Sequence, residues 1–172
     1  LPGMRRSQMG RETGSAKCAW GADDWLYLEE GGMVPSVEQP APDLPEHPWP
    51  APRERFEFAD MSVLPPQLQW LRSPEPARLF DLSGGALRLF GRESIGSWFE
   101  QALVAARQTE WQCTAETEVQ FAPDSYQQMA GLTAYYNRTQ FHYLALTMDP
   151  ATGERALTVL SCLDWPEGRL TY

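Results

Sequence analysis

The chain reads as an all-β protein built around an antiparallel β-sandwich. Three features lead there. Short runs rich in Val, Leu, Thr and aromatic residues recur along its second half. Turn residues separate them at hairpin distances, as between Tyr136 and Phe141. The runs alternate apolar and polar side chains, as a half-buried strand must.

Residues 1–34 carry two short strand signals, Ala19-Trp20 and Trp25-Leu26-Tyr27-Leu28, around the turn Gly21-Ala22-Asp23-Asp24. Two strands alone cannot bury a face, so this hairpin must pack on other structure. Residues 35–53 hold seven prolines. Proline fixes φ and lacks a ladder donor, so this stretch is an extended connector, with His47 and Trp49 expected to anchor it to a neighbouring face. A sugar-stacking role for Trp49 is the other reading. The domain plan is therefore 1–34, a linker over 35–55, and a sandwich over 56–172.

Within the sandwich, Leu87-Phe90 follows the Gly84-Gly85 turn. Ala102-Gln108 has helical propensity but sits among strands and is read as one. Thr114-Phe121 alternates, with Ala115, Thr117, Val119 and Phe121 on one side and Glu116, Glu118 and Gln120 on the other. Strands follow at Gly131-Tyr136, Phe141-Thr147 and Ala156-Cys162, joined by the turns Asn137-Gln140 and Asp149-Gly153. Another strand is expected to start at Leu170-Tyr172.

The formal charge is -9, with no basic block, which argues against a nucleic-acid partner. No apolar run approaches the ~20 residues of a membrane-crossing helix. The start has no apolar secretory core, so the expectation is a cytoplasmic protein that begins inside a longer one. Three scattered cysteines, Cys18, Cys113 and Cys162, fit neither a disulfide framework nor a zinc site, and read as reduced thiols. No cofactor or metal is expected.

Several stretches, in order, carry a family resemblance. They are Gly10-Arg11-Glu12-Thr13, Gln67-Leu68-Gln69-Trp70-Leu71-Arg72, Leu87-Arg88-Leu89-Phe90-Gly91-Arg92-Glu93-Ser94, Gln127 through Leu144, and Leu160-Ser161-Cys162. The chain resembles the β-xylosidases and α-arabinofuranosidases of glycoside hydrolase family 43. The resemblance implies that residues 1–34 end a catalytic β-propeller and that 56–172 begin a concanavalin A-like jelly roll, truncated at its far end. Gly14-Ser15-Ala16-Lys17 departs from the small residue, aliphatic and Gln usual after the first motif, which leaves the local strand geometry open.

Such enzymes invert configuration with a general acid and a general base about 6.5–9.5 Å apart. The resemblance places these acids on propeller blades before Leu1, so no catalytic residue is assigned to this chain. It does imply a substrate-binding role for Arg11, whose planar, permanently charged fork suits a sugar hydroxyl and a carboxylate. A blade-closing pair with Glu12 is the plainer reading. Arg92 and Glu93 read as a strand-end ion pair. Tyr135, Tyr136, Phe141 and Tyr143 read as core before they read as sugar platforms. Asn137-Arg138-Thr139 matches a glycosylation sequon. Asp124, Asp149 and Asp164 read as turn formers.

Two functions follow. The first is part of an inverting xylosidase or arabinofuranosidase acting on short xylo- or arabino-oligosaccharides, with the missing propeller as partner, homo-oligomerisation left open, and the isolated chain inactive. The second is a stand-alone carbohydrate-binding or structural sandwich module.

Overall fold

A computed structural model describes Met9 and residues 13–163. Arg11, Glu12, Asp164 and the expected strand at Leu170-Tyr172 lie outside the described residues. The chain divides into two compact units, Leu1–Pro52 and Arg53–Tyr172.

In the first unit, β1 (Cys18–Trp20) and β2 (Leu26–Leu28) pair antiparallel, with Cys18 opposite Leu28. The turn between them is held locally. The Tyr27 hydroxyl donates to the Asp23 carboxylate at 2.6 Å. Asp24 takes φ of 61°, a left-handed turn conformation that Asp tolerates better than most residues. Trp20, Trp25, Leu26 and Tyr27 are exposed on this hairpin. Beyond it, the Glu30 carboxylate accepts from the Ser36 amide and the Gln39 side chain, both at 2.9 Å, and from the Ser36 hydroxyl. These bonds organise the start of the proline-rich segment, which itself has no strand. His47 and Trp49 do not anchor that segment, because both are exposed, Trp49 at 88%. Among the described residues nothing buries the indole, and the fixed φ of the prolines keeps the chain extended there.

Among its described residues the second unit is all-β apart from one 3-10 turn, Pro76–Arg78, which begins on a proline whose φ suits it. Its strands form small antiparallel sheets. β3 (Leu68–Trp70) pairs with β6 (Val104–Ala106), so a long crossover separates the partners. β4 (Phe80–Ser83) and β5 (Ala86–Leu89) form a hairpin around Gly84-Gly85. The φ values there are 62° and 75°. Both are left-handed, as a tight two-residue turn requires.

The largest sheet is β7 (Ala130–Asn137), β8 (Gln140–Met148) and β9 (Arg155–Cys162), in that order. Asn137 ties the turn between the first two of these strands. Its side-chain oxygen accepts from the Thr139 amide at 2.8 Å and from the Thr139 hydroxyl at 2.9 Å. Such a side-chain bond to the backbone two residues on is what favours Asn in turns. A register shift lies between Tyr135 and Asn137, where the strand enters this turn. At the β8–β9 turn, Asp149 accepts from the Ala151 amide, and Gly153 at φ of 74° closes the loop back onto the Asp149 carbonyl.

The alternation of β8 puts Phe141, Tyr143, Ala145 and Thr147 on one face. Register adds Leu160 and Cys162 from β9. Phe141, Ala145, Thr147, Leu160 and Cys162 are buried, and together with Leu79 and Leu103 they are the core. Each large apolar side chain fully buried there contributes about 1.5–3 kcal/mol. Thr147 donates to the Tyr126 carbonyl at 3.0 Å, so its burial carries no orphaned hydroxyl.

The alternating segment Thr114-Phe121 is not a strand. Residues 114–120 are exposed and pair with no strand among the described residues. Alternation supplies a face but not a ladder, and Ala115 and Thr117 offer too little apolar area to hold a lone strand down. The strand in Ala102-Gln108 is confined to Val104–Ala106.

Candidate functional site

Arginines converge where the loops between β3 and β7 meet the end of the β7–β8 hairpin. Arg72 follows β3 at φ of 56° and donates to the Trp98 carbonyl at 2.9 Å. Arg78 ends the 3-10 turn and pairs with the Glu100 carboxylate at 2.9 Å. Arg92 donates to the Arg78 carbonyl at 2.9 Å. Arg138, at the hairpin tip, donates to the Gly96 carbonyl at 3.3 Å, and its guanidinium lies 3.7 Å from the centre of the Trp98 ring. That is a cation–π contact, and it ties the hairpin tip to the 94–101 loop. Gln101 is buried and donates to the Ser97 carbonyl.

A cavity of about 330 Å³ opens beside this cluster, lined by Arg72, Ser73, Pro74, Glu93, Phe99 and Glu100. It has two carboxylates, but not the arrangement of a hydrolytic pair. The Arg78 guanidinium engages both Glu100 oxygens, an ion pair that favours the charged carboxylate over the protonated form a general acid needs. Glu93 is exposed and lacks the enclosed setting of a general acid. Arg92 turns to a backbone carbonyl, so the expected strand-end ion pair with Glu93 is replaced by a loop clamp.

The aromatic residues of β7 and β8 divide by face. Tyr135 stacks on Phe141 with ring centres 6.4 Å apart, and Tyr143 lies on the same side. Burial raises the hydroxyl pKa of both tyrosines, while Arg72 and Arg138 pull that of Tyr135 partly back. Tyr136 is exposed. Cys18 and Cys113 are exposed thiols, and Cys162 is a buried one. Among the described residues no group of His, Cys, Asp and Glu could hold a metal ion. No helix among them is long and apolar enough to cross a membrane. Arg11, the residue expected to bind substrate, lies outside the described residues.

The cluster has no local spacing to reveal it, because its members lie at 72, 78, 92, 98, 100 and 138. Arg72, Arg92 and Arg138 do fall inside the family-like stretches, and that is the signal the sequence offers.

An all-β unit with an arginine-laced loop cluster and a sheet buried on one side has the character of a β-sandwich domain. Residues 55–169 match the family of beta xylosidase C-terminal concanavalin A-like domains, and the chain belongs to that family. The chain is 48% identical over 173 residues to xylosidase/arabinosidase 43B of Humicola insolens, covering 98% of this chain and 31% of that protein. It is 39% identical to a beta-xylosidase of Bacillus subtilis, covering 90% of this chain and 29% of the relative. The crystal structure of xylan beta-1,4-xylosidase from Bacillus halodurans superposes with a TM-score of 0.72 at 36% identity, over 91% of this chain and 30% of that one. The chain thus spans about a third of the length of these relatives. The fold class expected from sequence, an all-β concanavalin-like sandwich of glycoside hydrolase family 43, is the one found.

Proposed function

We propose that the chain is part of a family 43 glycosidase that removes terminal xylosyl or arabinosyl residues from short oligosaccharides. Residues 1–34 end its catalytic propeller, 35–55 link, and 56–172 begin the sandwich that buttresses it. One observation carries this reading. The likeness to xylosidase/arabinosidase 43B covers 98% of the chain, well beyond the 55–169 of the sandwich family, so the first unit also has its counterpart in that protein.

The chemistry asked of the sandwich is support. Its clustered arginines are engaged with carbonyls and a carboxylate of neighbouring segments, and each such charge-assisted bond ties one loop to another. The acids would come from the propeller, where Arg11 would hold a sugar hydroxyl against them. The scattered spacing of the three cysteines, with no disulfide framework in the sequence, supports a cytoplasmic enzyme.

The test is release of nitrophenol from nitrophenyl β-xyloside and nitrophenyl α-arabinofuranoside. The chain alone should show none, and a polypeptide of the relatives' full length should turn over. In the latter, Arg11→Ala should lower kcat/KM by about tenfold or more, the loss of a charge-assisted bond. Turnover by the chain alone would refute this placement of the acids. The exposed rings of Trp98 and Phe99 favour a second reading, a carbohydrate-binding module, which requires saturable binding of xylotetraose by the chain alone.

A further inference from the structure

The cavity beside the arginine cluster is lined by a balanced set of groups: Arg72, Ser73, Pro74, Glu93, Phe99 and Glu100. Its charges cancel. Arg78 neutralises Glu100 at 2.9 Å, and Arg72 offsets the exposed carboxylate of Glu93. An anionic ligand would meet Glu93 and a cationic one Arg72, so the hollow favours a neutral ligand.

The polar groups are of both kinds. Arg72 has five N–H donors and gives one to the Trp98 carbonyl. The Ser73 hydroxyl accepts from the Glu75 amide at 3.1 Å, and its own proton remains to donate. Glu93, ionised, only accepts. Pro74 and the Phe99 ring, 66% exposed, add apolar surface beside them. Donors, an acceptor and a ring face in one hollow match a neutral pyranose, which has hydroxyls on its edge and C–H groups on its faces.

The walls are held in place. Arg72 and Glu100 both have left-handed backbone, at φ of 56° and 49°. Long side chains seldom adopt it, so both positions are strained. The Arg72–Trp98 and Arg78–Glu100 bonds lock them, and the Arg92 bond to the Arg78 carbonyl braces the second. Strain sustained by surrounding bonds gathers at ligand sites, and a preformed hollow spares a ligand the cost of ordering it. At about 330 Å³ it lies at the small end of ligand cavities, with room for a chain end only.

We infer that this hollow is a binding site, without hydrolysis of its own, for the end of a short neutral oligosaccharide. One ring stacks on Phe99, and its hydroxyls bond to Arg72, Ser73 and Glu93. Only the choice of a xylosyl ligand rests on the proposed function.

Titration of xylobiose into the isotope-labelled chain, followed by NMR amide shifts, tests it. Saturable shifts are expected with a Kd of about 1 mM, since a shallow site makes few contacts. Phe99→Ala should raise Kd by about 3–10-fold, the loss of one aromatic face. Glu93→Gln should weaken xylobiose binding and, by leaving Arg72 unopposed, tighten that of glucuronate. Both side chains are exposed, so both variants should keep the fold, which circular dichroism checks. Trp111→Ala removes an exposed ring that does not line the hollow and should leave Kd unchanged. Shifts that stay linear up to about twenty times the expected Kd would overturn the inference. So would a Kd that Phe99→Ala leaves unchanged, or one that Trp111→Ala raises as much, because binding would then lie elsewhere. Cellobiose is run in parallel: a chain that takes it and not xylobiose keeps the site and counts against the pentose reading. The titration needs no turnover, so it and nitrophenol release fail separately.

Discussion

Gly131→Ala should destabilise the second unit, although glycine is a poor strand residue. Gly131 sits in β7 opposite Ala145, which is fully buried. A Cβ there would lie 2.0 Å from the Leu144 carbonyl oxygen, 3.0 Å from its carbon and 3.1 Å from the Ala145 Cα. All three are backbone atoms, so no side-chain rotation relieves them. Normal contact needs roughly 3.5 Å, which forces β7 and β8 apart by more than about 1 Å. Hydrogen bonds of ~2.9 Å do not survive that shift, and losing two or three costs about 0.5–1.5 kcal/mol each. Alanine's lower backbone entropy returns only ~0.5–1 kcal/mol. The net effect is a loss of about 2 kcal/mol at the middle of these ranges, and at most about 4 kcal/mol. Urea unfolding followed by circular dichroism should show a midpoint lower by roughly 1 M at the slope of a small domain. Gly91→Ala is the control, because nothing lies within 4 Å of its Cβ, and its midpoint should hold. An unchanged midpoint for Gly131→Ala would refute the claim that close strand approach selects glycine there.

Leu79 is fully buried, so Leu79→Ala should cost about 2–5 kcal/mol in the same assay. Tyr135 and Tyr143 both titrate above the ordinary 10.0 because burial disfavours phenolate. The unfolded chain therefore releases those protons first. Their stabilisation is complete below about pH 10 and is lost as pH rises past it toward the raised folded value. Melting temperature should fall above about pH 10, and less steeply in Tyr143→Phe. Arg138→Lys keeps the charge but not the planar contact over Trp98, and should cost about 0.5–1 kcal/mol with a change in tryptophan emission.

The hairpins at Asn137-Gln140 and Asp149-Gly153 were legible because their turns are chemically explicit. Asn137 and Asp149 hydrogen-bond their own loops, and Gly153 supplies the left-handed residue. The long strands around them inherited unambiguous alternation. Thr114-Phe121 had the same alternation and is not a strand, because pairing depends on a neighbour that local pattern does not name. Trp49 looked like an anchor for a similar reason: an indole seeks burial, but sequence does not say whether a surface is there to receive it. The charged cluster was hidden as a cluster, although some members fall in the family-like stretches, since Arg72, Arg78, Arg92 and Arg138 meet only after distant loops are brought to one place.

Family, hairpin order and turn chemistry were thus written in the linear chain, because each depends on residues close together. Which face of β8 is buried was decided only in three dimensions. Both its faces are apolar, Phe141-Tyr143-Ala145 on one and Leu144-Leu146 on the other, so periodicity permitted either. On the Phe141 side Thr147 donates to the Tyr126 carbonyl, and Phe141, Ala145 and Thr147 are buried, while Leu144 on the other side is exposed.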